Sequence, residues 1–363
     1  MTPRKLSLDW KMQIAAKKSV FIGKPLYRAM SLLVVLLLAA PNCHGATLEQ
    51  KKKGQEKQKV KMTIELTVRL ERGPEGLSPA WVQDAEVDSR GNVLLLDSKM
   101  CRILKYDQNG RFLLSFGKTG TGKSEFIRPD DIIIDSRDCV YVLDGPQKRV
   151  CKFSSAGVHL SDFGVDLKYS GLRLKGTLGP VDRIILAGYK NGRVFYVYDP
   201  QGKPLTSFGS TMQPTNPPPS NWRLESTYIA ETLFISGGIL YCTHPFRYEL
   251  VRYDIATSKA LQPIPLKFKG WRDAELRDGG IIIHTAVAKT VVDREGRIYN
   301  LVCNFNPGYR SEYYLDIADK DGKKLGAEHQ VKYCAMAIDE NDRFYLISNE
   351  PEWTLTRVKF RFH

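Results

Sequence analysis

The feature that most constrains this chain is a self-similarity at an offset of 47 positions. Val87-Asp88-Ser89-Arg90-Gly91-Asn92-Val93-Leu94-Leu95-Leu96-Asp97 is answered by Ile134-Asp135-Ser136-Arg137-Asp138-Cys139-Val140-Tyr141-Val142-Leu143-Asp144. The register continues into the next segment, where 101–117, ending Phe116-Gly117, aligns with 148–164, ending Phe163-Gly164. Register kept over several strand-length runs marks two copies of one supersecondary unit, and such a unit buries its faces only by stacking on its neighbours. Further copies read at 193–209, 292–299 and 338–345, with a weaker one at 233–253.

Each unit holds four short runs rich in Val, Ile, Leu, Phe and Tyr, separated by Asp-x-x-Gly, Asn-Gly or Gln-Gly. That is the pattern of strands joined by tight hairpins. No capped amphipathic helix of a dozen residues occurs after residue 62. A four-stranded repeat of this length predicts an all-β fold, a six-bladed β-propeller of four-stranded antiparallel blades, over residues 62–363. The last unit, 332–362, supplies only three strands. The alternating run 62–70 is expected to complete it, closing the ring and hiding a sheet edge.

Composition matters for what precedes the propeller. With 42% hydrophobic and 26% charged residues the chain is not disordered throughout. Its net charge of +14 is concentrated in part at the start, where 1–46 carries seven lysines and arginines against Asp9 alone. The apolar run 32–40 is too short, at 1.5 Å per helical residue, to cross a hydrocarbon core of roughly 30 Å. Basic residues, a short apolar run and small residues at Gly45 and Ala46 read as a secretory signal over 1–46, with Met12 and Met30 as alternative starts. The polar, lysine-rich 47–61 reads as a solvated linker. The mature chain is therefore expected to be exported, periplasmic or extracellular, without a transmembrane helix. Lipid attachment at Cys43 is the minority alternative, disfavoured by the Ala40-Pro41-Asn42 ahead of it. The six later cysteines have no paired spacing and sit in apolar runs, so they read as buried thiols.

Residues 115–132, from Ser115-Phe116-Gly117 to Asp130-Asp131-Ile132, continue through Val140-Tyr141-Val142-Leu143-Asp144 to Arg149-Val150-Cys151-Lys152-Phe153. This stretch resembles an NHL repeat, and the chain is similar to the exported six-bladed propellers of bacteria that carry such repeats. The likeness is specific over 83–165, moderate at 290–302 and 331–348, and poor over 210–285, where the proline-rich 213–219 interrupts it. The resemblance implies a fold more firmly than an activity, and a binding scaffold more than an enzyme.

Gly117-Lys118-Thr119-Gly120-Thr121-Gly122-Lys123-Ser124 satisfies the phosphate-loop pattern G-x-x-x-x-G-K-[ST]. That motif needs a following helix whose amides face the anion. Glu125-Phe126-Ile127-Arg128-Pro129 and a strand follow instead, so the segment reads as a connection between blades. Asp97 and Asp144 share one repeat position and are expected to bond turn amides. No histidine pair has ligand spacing. A metal would have to be assembled across blades, as zinc or calcium is in some related propellers, and His244 and His284 are its candidate ligands. No cofactor is otherwise expected.

Propellers commonly use the axial face built by the loops between second and third strands and between blades. Mapped on the repeats, that face predicts Trp81, Arg128, Asp131, Lys190, Phe246, Arg272, Tyr309 and Trp353 as ligand-binding residues. The expected function is recognition of a ligand, peptide, glycan or partner protein there by a monomer, with no nucleic acid as partner. The alternative is a hydrolase or lyase using a central zinc or calcium ion.

Overall fold

The computed structural model describes residues 60–177, 182–212, 232–244, 246–277, 280–305 and 311–363. Residues 1–46, read from the sequence as a signal, the part of the expected linker up to residue 59, and Tyr309 lie outside them. Six four-stranded antiparallel sheets account for nearly all the described residues.

Blade 1 comprises Val82–Val87, Val93–Asp97, Arg102–Tyr106 and Phe112–Phe116, and blade 2 Pro129–Ile134, Val140–Asp144, Arg149–Phe153 and His159–Gly164. Blade 3 comprises Lys168–Thr177, Arg183–Lys190, Arg193–Tyr198 and Pro204–Phe208. Blade 4 is Leu233–Ser236, Ile239–Thr243, Glu249–Asp254 and Lys259–Pro265. Blade 5 has Thr285–Val292, Ile298–Asn304, Glu312–Ala318 and His329–Val331. Blade 6 is Ala335–Ile338, Phe344–Ser348, Thr354–Phe362 and, from the other end of the chain, Val60–Arg69. The first strand of every blade touches the first strand of the next, blade 6 returning to blade 1, so the first strands ring the axis.

Burial explains the repeat's apolar runs. Val93–Asp97 and Val140–Asp144 are buried at every residue, because second strands are covered by neighbouring blades on both faces. The outer strand Phe112–Phe116 alternates between half-buried and exposed. Between blades 1 and 2 the core is Leu94, Leu96, Ile103, Phe126, Ile132 and Phe153 with their neighbours. Val60–Arg69 pairs with Thr354–Phe362 from Val60↔Phe362 to Arg69↔Thr354. It lays Val60 and Met62 over a cluster in which Tyr299, Phe344 and Phe360 pack ring on ring.

The Asp-x-x-Gly signal has a physical reason. At the turn from first to second strand, Asp135 Oδ1 accepts the amides of Arg137 (3.0 Å) and Cys139 (2.8 Å), while Oδ2 accepts the Tyr141 hydroxyl (3.0 Å). Asp293 and Asp339 make the same bonds with Tyr299 and Tyr345. In blade 1 the tyrosine is absent, and Asp88 takes the Lys105 ammonium at 2.8 Å. Burial would raise the Asp88 pKa, but the bonds from Lys105 and Asn92 outweigh it and hold the carboxyl below its usual range. The fourth turn position needs positive φ. Glycine fills it in blades 1 and 5, Asp138 and Asp342 in blades 2 and 6. The strain these aspartates carry, of the order of 1 kcal/mol, is offset across the blade boundary. Asp138 accepts the Ser89 amide (2.9 Å) and hydroxyl (2.7 Å), and Asp342 accepts the Arg294 amide (3.2 Å).

The phosphate-loop pattern is a blade connection. Lys118–Thr119 and Glu125–Phe126 form a two-residue parallel ladder, and the first strand of blade 2 follows. The Gly122 amide donates to the chain's own Glu125 carboxylate at 2.8 Å, with Lys118 3.2 Å from that carboxylate. Hydrogen bonds to Gly122 and Lys118 hold the Glu125 pKa low. A side chain at Gly120 would strike Glu125.

Candidate functional site

Three of the first strands share an irregularity. The register slips by one residue between Val82 and Asp84 in blade 1, between Pro129 and Asp131 in blade 2, and between Val287 and Lys289 in blade 5. A β-bulge re-aims the side chain that follows it, and in each case that side chain is charged. Lys289 reaches Asp84 Oδ1 at 2.5 Å and Glu86 Oε1 at 3.4 Å. Blades 5 and 1 are separated by blade 6, so this contact crosses the axial space. Burial pulls the Lys289 pKa down, but Asp84, Glu86 and Asp131 outweigh it and hold the ammonium above the ordinary lysine range.

Glu86 also belongs to a cavity of about 680 Å³ at the end of the axis where first strands turn into second strands. All six blades contribute to its lining. Val87, Ile133, Phe234, Val292 and Ile338 make an apolar wall, and Glu86, Glu340, Arg183 and Arg294 bring charge. On the blade 4 side the hairpin Ser236-Gly237-Gly238-Ile239 has positive φ at both glycines, the two-residue turn that suits a twisted hairpin, and projects no side chain from its tip. A concave, mainly apolar space of this size with a few converging polar groups is the usual form of a small-molecule site.

Of the residues predicted from the sequence, those that are described lie at the other end of the strands, apart from Asp131, and none of them lines this cavity. Trp81 is 60% exposed and Arg128 holds Asp130 at 3.1 Å. Asp97 accepts the Ala80 and Trp81 amides, and Asp144 those of Ile127 and Arg128, so both are turn-bonding groups. Lys190 pairs with Asp166 at 2.7 Å, Arg272 is exposed, and Trp353 packs against the core between blades 6 and 1. Phe246 is 2% exposed and edge-on to His244, which makes it a core residue. Asp131 is buried on the first strand of blade 2 and joins the Lys289 cluster through its charge.

The His244 nitrogens are occupied: the Phe246 amide lies 3.1 Å from Nδ1 and the Arg247 guanidinium 3.0 Å from Nε2. Burial, with the Arg247 charge, pushes its pKa down to about 4. His284 is half-buried, and among the described residues no three His, Cys, Asp or Glu side chains gather as a metal site. Cys151 and His159 flank Asp162, with His159 Nε2 2.7 Å from Oδ1. The carboxylate stands between thiol and imidazole, and burial pushes the thiol pKa up, so no nucleophile is activated there. All six described cysteines are unpaired.

Sequence reasoning missed Lys289, Asp84 and Glu86, although Lys289 is the one charged residue in Thr285–Val292. It also missed a buried polar chain between blades 4 and 5. Thr232 donates to Thr290, Thr290 to Asn300 (2.7 Å), Asn300 to the Tyr248 hydroxyl (2.9 Å), and Tyr248 to Asp316 (2.5 Å). Tyr248 in turn stacks on Trp271 at 4.6 Å.

A family model for DUF5128, described as a 6-bladed beta-propeller, matches residues 86–170. No curated protein matches the chain. It is similar to a solved member of the DUF4221 family from Bacteroides vulgatus ATCC 8482, with TM-score 0.59 and 10% identity over 85% of this chain and 99% of that one. It is also similar to a Bacteroides fragilis NCTC 9343 protein named for its expected export, with TM-score 0.56 and 13% identity over 83% of this chain and 95% of that one. A streptogramin B lyase superposes with TM-score 0.50 and 10% identity over 83% and 98%. Likeness at these identities shows the six-bladed fold and nothing finer.

Proposed function

We propose that this chain is an exported, NHL-like propeller whose work is binding, and that its ligand occupies the axial cavity at the turns between first and second strands. The observation that carries the reading is the cavity's construction: all six blades supply its wall, with charge at Glu86, Glu340, Arg183 and Arg294. Repeat packing alone calls for apolar contact between blades, not for an ion cluster at the axis. The export signal read at 1–46 and the fold shared with a protein named for export support the location.

The reading is tested by screening small organic probes against the purified protein, following the methyl resonances of Ile133 and Ile338 by NMR. Probes that bind should shift these methyls, and Ser236→Trp, which fills the mouth from the hairpin, should abolish the shifts. Binding that survives Ser236→Trp would place the site elsewhere on the propeller.

A further inference from the structure

The strand pair that closes the ring carries its charge on one face. Along Val60–Arg69 and Thr354–Phe362, the face turned towards blade 1 starts at Val68 and Leu355, in the core between blades 6 and 1. Arg357, Lys359 and Arg361 follow on that face at every second position, and Lys61 stands directly opposite Arg361. Side chains paired in this way have Cβ atoms about 5 Å apart, and like charges so placed are destabilising. Glu65, the only acidic residue of the two strands, receives Arg357 at 3.1 Å and Lys359 at 3.5 Å. Arg357 also reaches Gln108 of blade 1, and the neighbouring Asp107 is held by the amides of Asn109 and Arg111. Lys61 and Arg361 are exposed and have no ion pair among the described residues.

We infer that this face docks the protein on an anionic lipid surface, with Lys61, Lys359 and Arg361 set against the headgroup phosphates. The inference is independent of the axial cavity. Fold stability gives no reason to set Lys61 against Arg361, whereas an array of phosphates offsets their repulsion. The row from Arg357 to Arg361 runs about 13 Å along the strand, which suits several headgroups rather than one chelated anion. Chain order points to a membrane as the source of those phosphates. The strand is reached from the apolar run 32–40 of the export signal, and 51–59 between them adds five lysines against Glu56 alone. Basic residues that follow a membrane-directed segment are drawn to acidic lipid, each one close to the surface strengthening binding about fivefold.

The test is co-sedimentation of the protein, purified after export, with vesicles of phosphatidylcholine alone or of an equal mixture with phosphatidylglycerol. The protein should sediment with the mixed vesicles and not with phosphatidylcholine, and added sodium chloride should release it as the Debye length shortens. Lys61→Gln together with Arg361→Gln should weaken this binding about thirtyfold, and Lys61→Gln alone about fivefold. The urea midpoint of both variants should stay level or rise, since the repulsion goes with the charges. Lys267→Gln with Lys269→Gln removes two exposed lysines from the connection between blades 4 and 5, lowers the net charge equally, and should leave binding nearly unchanged. Equal sedimentation with both kinds of vesicle, or binding that survives the Lys61 and Arg361 changes, overturns the inference. So does an equal loss in the two double variants, which would make net charge the cause rather than this face. Poly-glutamate that binds through Lys61 and Arg361 while mixed vesicles do not would overturn the lipid assignment in favour of an acidic polypeptide.

Discussion

Lys289 Nζ and Asp84 Oδ1, 205 positions apart in sequence and on non-adjacent blades, lie 2.5 Å apart at the propeller axis. The pair ties blade 5 to blade 1 across the first strand of blade 6. Removing one partner of a buried ion pair strands the other's charge, typically at 3–5 kcal/mol. Because the Lys289 side chain keeps 13% of its exposure, Lys289→Met should cost about 2–4 kcal/mol in urea unfolding. Lys289→Met with Asp84→Leu should recover part of the loss. A single variant as stable as the wild type would show that the contact contributes nothing.

The Asp-to-Tyr bond of the turns is tested in three blades at once. Tyr141, Tyr299 and Tyr345 each donate at 2.9–3.0 Å to a carboxylate that already holds two amides. A bond to a charged acceptor is worth about 1.5–3 kcal/mol, and the remaining amides soften its loss. Each Tyr→Phe change should therefore lower stability by about 1–2 kcal/mol, and the separation of the sites should make the losses additive. Urea midpoints that do not move in Tyr141→Phe would assign the turn's stability to the amides alone.

The blades were legible because a repeat advertises itself: the buried second strands, the Asp-x-x-Gly turns and the three-strand last unit all follow from burial and turn chemistry that recur at fixed offset. The candidate site was harder to read, because it depends on what does not repeat. Asp84 and Asp131 do recur 47 positions apart, but their partner Lys289 comes from a blade 205 residues away, and the bulges that precede all three change no residue type. Which end of the axis opens into a cavity depends on side-chain volume around the whole ring. Trp81, Arg128 and Lys190, expected from the loops to bind a ligand, sit at the end of the strands away from the cavity. Phe246, expected to do the same, is placed in the core by its burial.

The phosphate-loop pattern at 117–124 should be chemically silent. Its Gly122 amide and Lys118 ammonium are engaged by Glu125, and no helix N-terminus stands behind it. Lys123→Ala should leave the melting temperature unchanged, and millimolar phosphate or ATP should raise it in neither protein. A phosphate-dependent rise in the wild type that vanishes in Lys123→Ala would restore the anion site.

His244 should make stability depend on pH in a defined window. Its folded-state pKa, pushed down to about 4 by burial and by Arg247, lies below the value of about 6.5 expected in the unfolded chain. Between these values the unfolded state binds a proton that the folded state refuses, so acid favours unfolding. The protein should hold this stability above about pH 6.5, lose it progressively as the pH falls towards 4, and change no further from this group below that. At 1.36 kcal/mol per pKa unit the whole effect is about 3 kcal/mol. His244→Gln keeps an acceptor for the Phe246 amide and removes the titration. The difference in urea midpoint between wild type and His244→Gln should therefore shift against the wild type as the pH is lowered from 7.5 to 4.5. Parallel pH profiles for the two proteins would mean that His244 gains its proton in the folded state as readily as in the unfolded one.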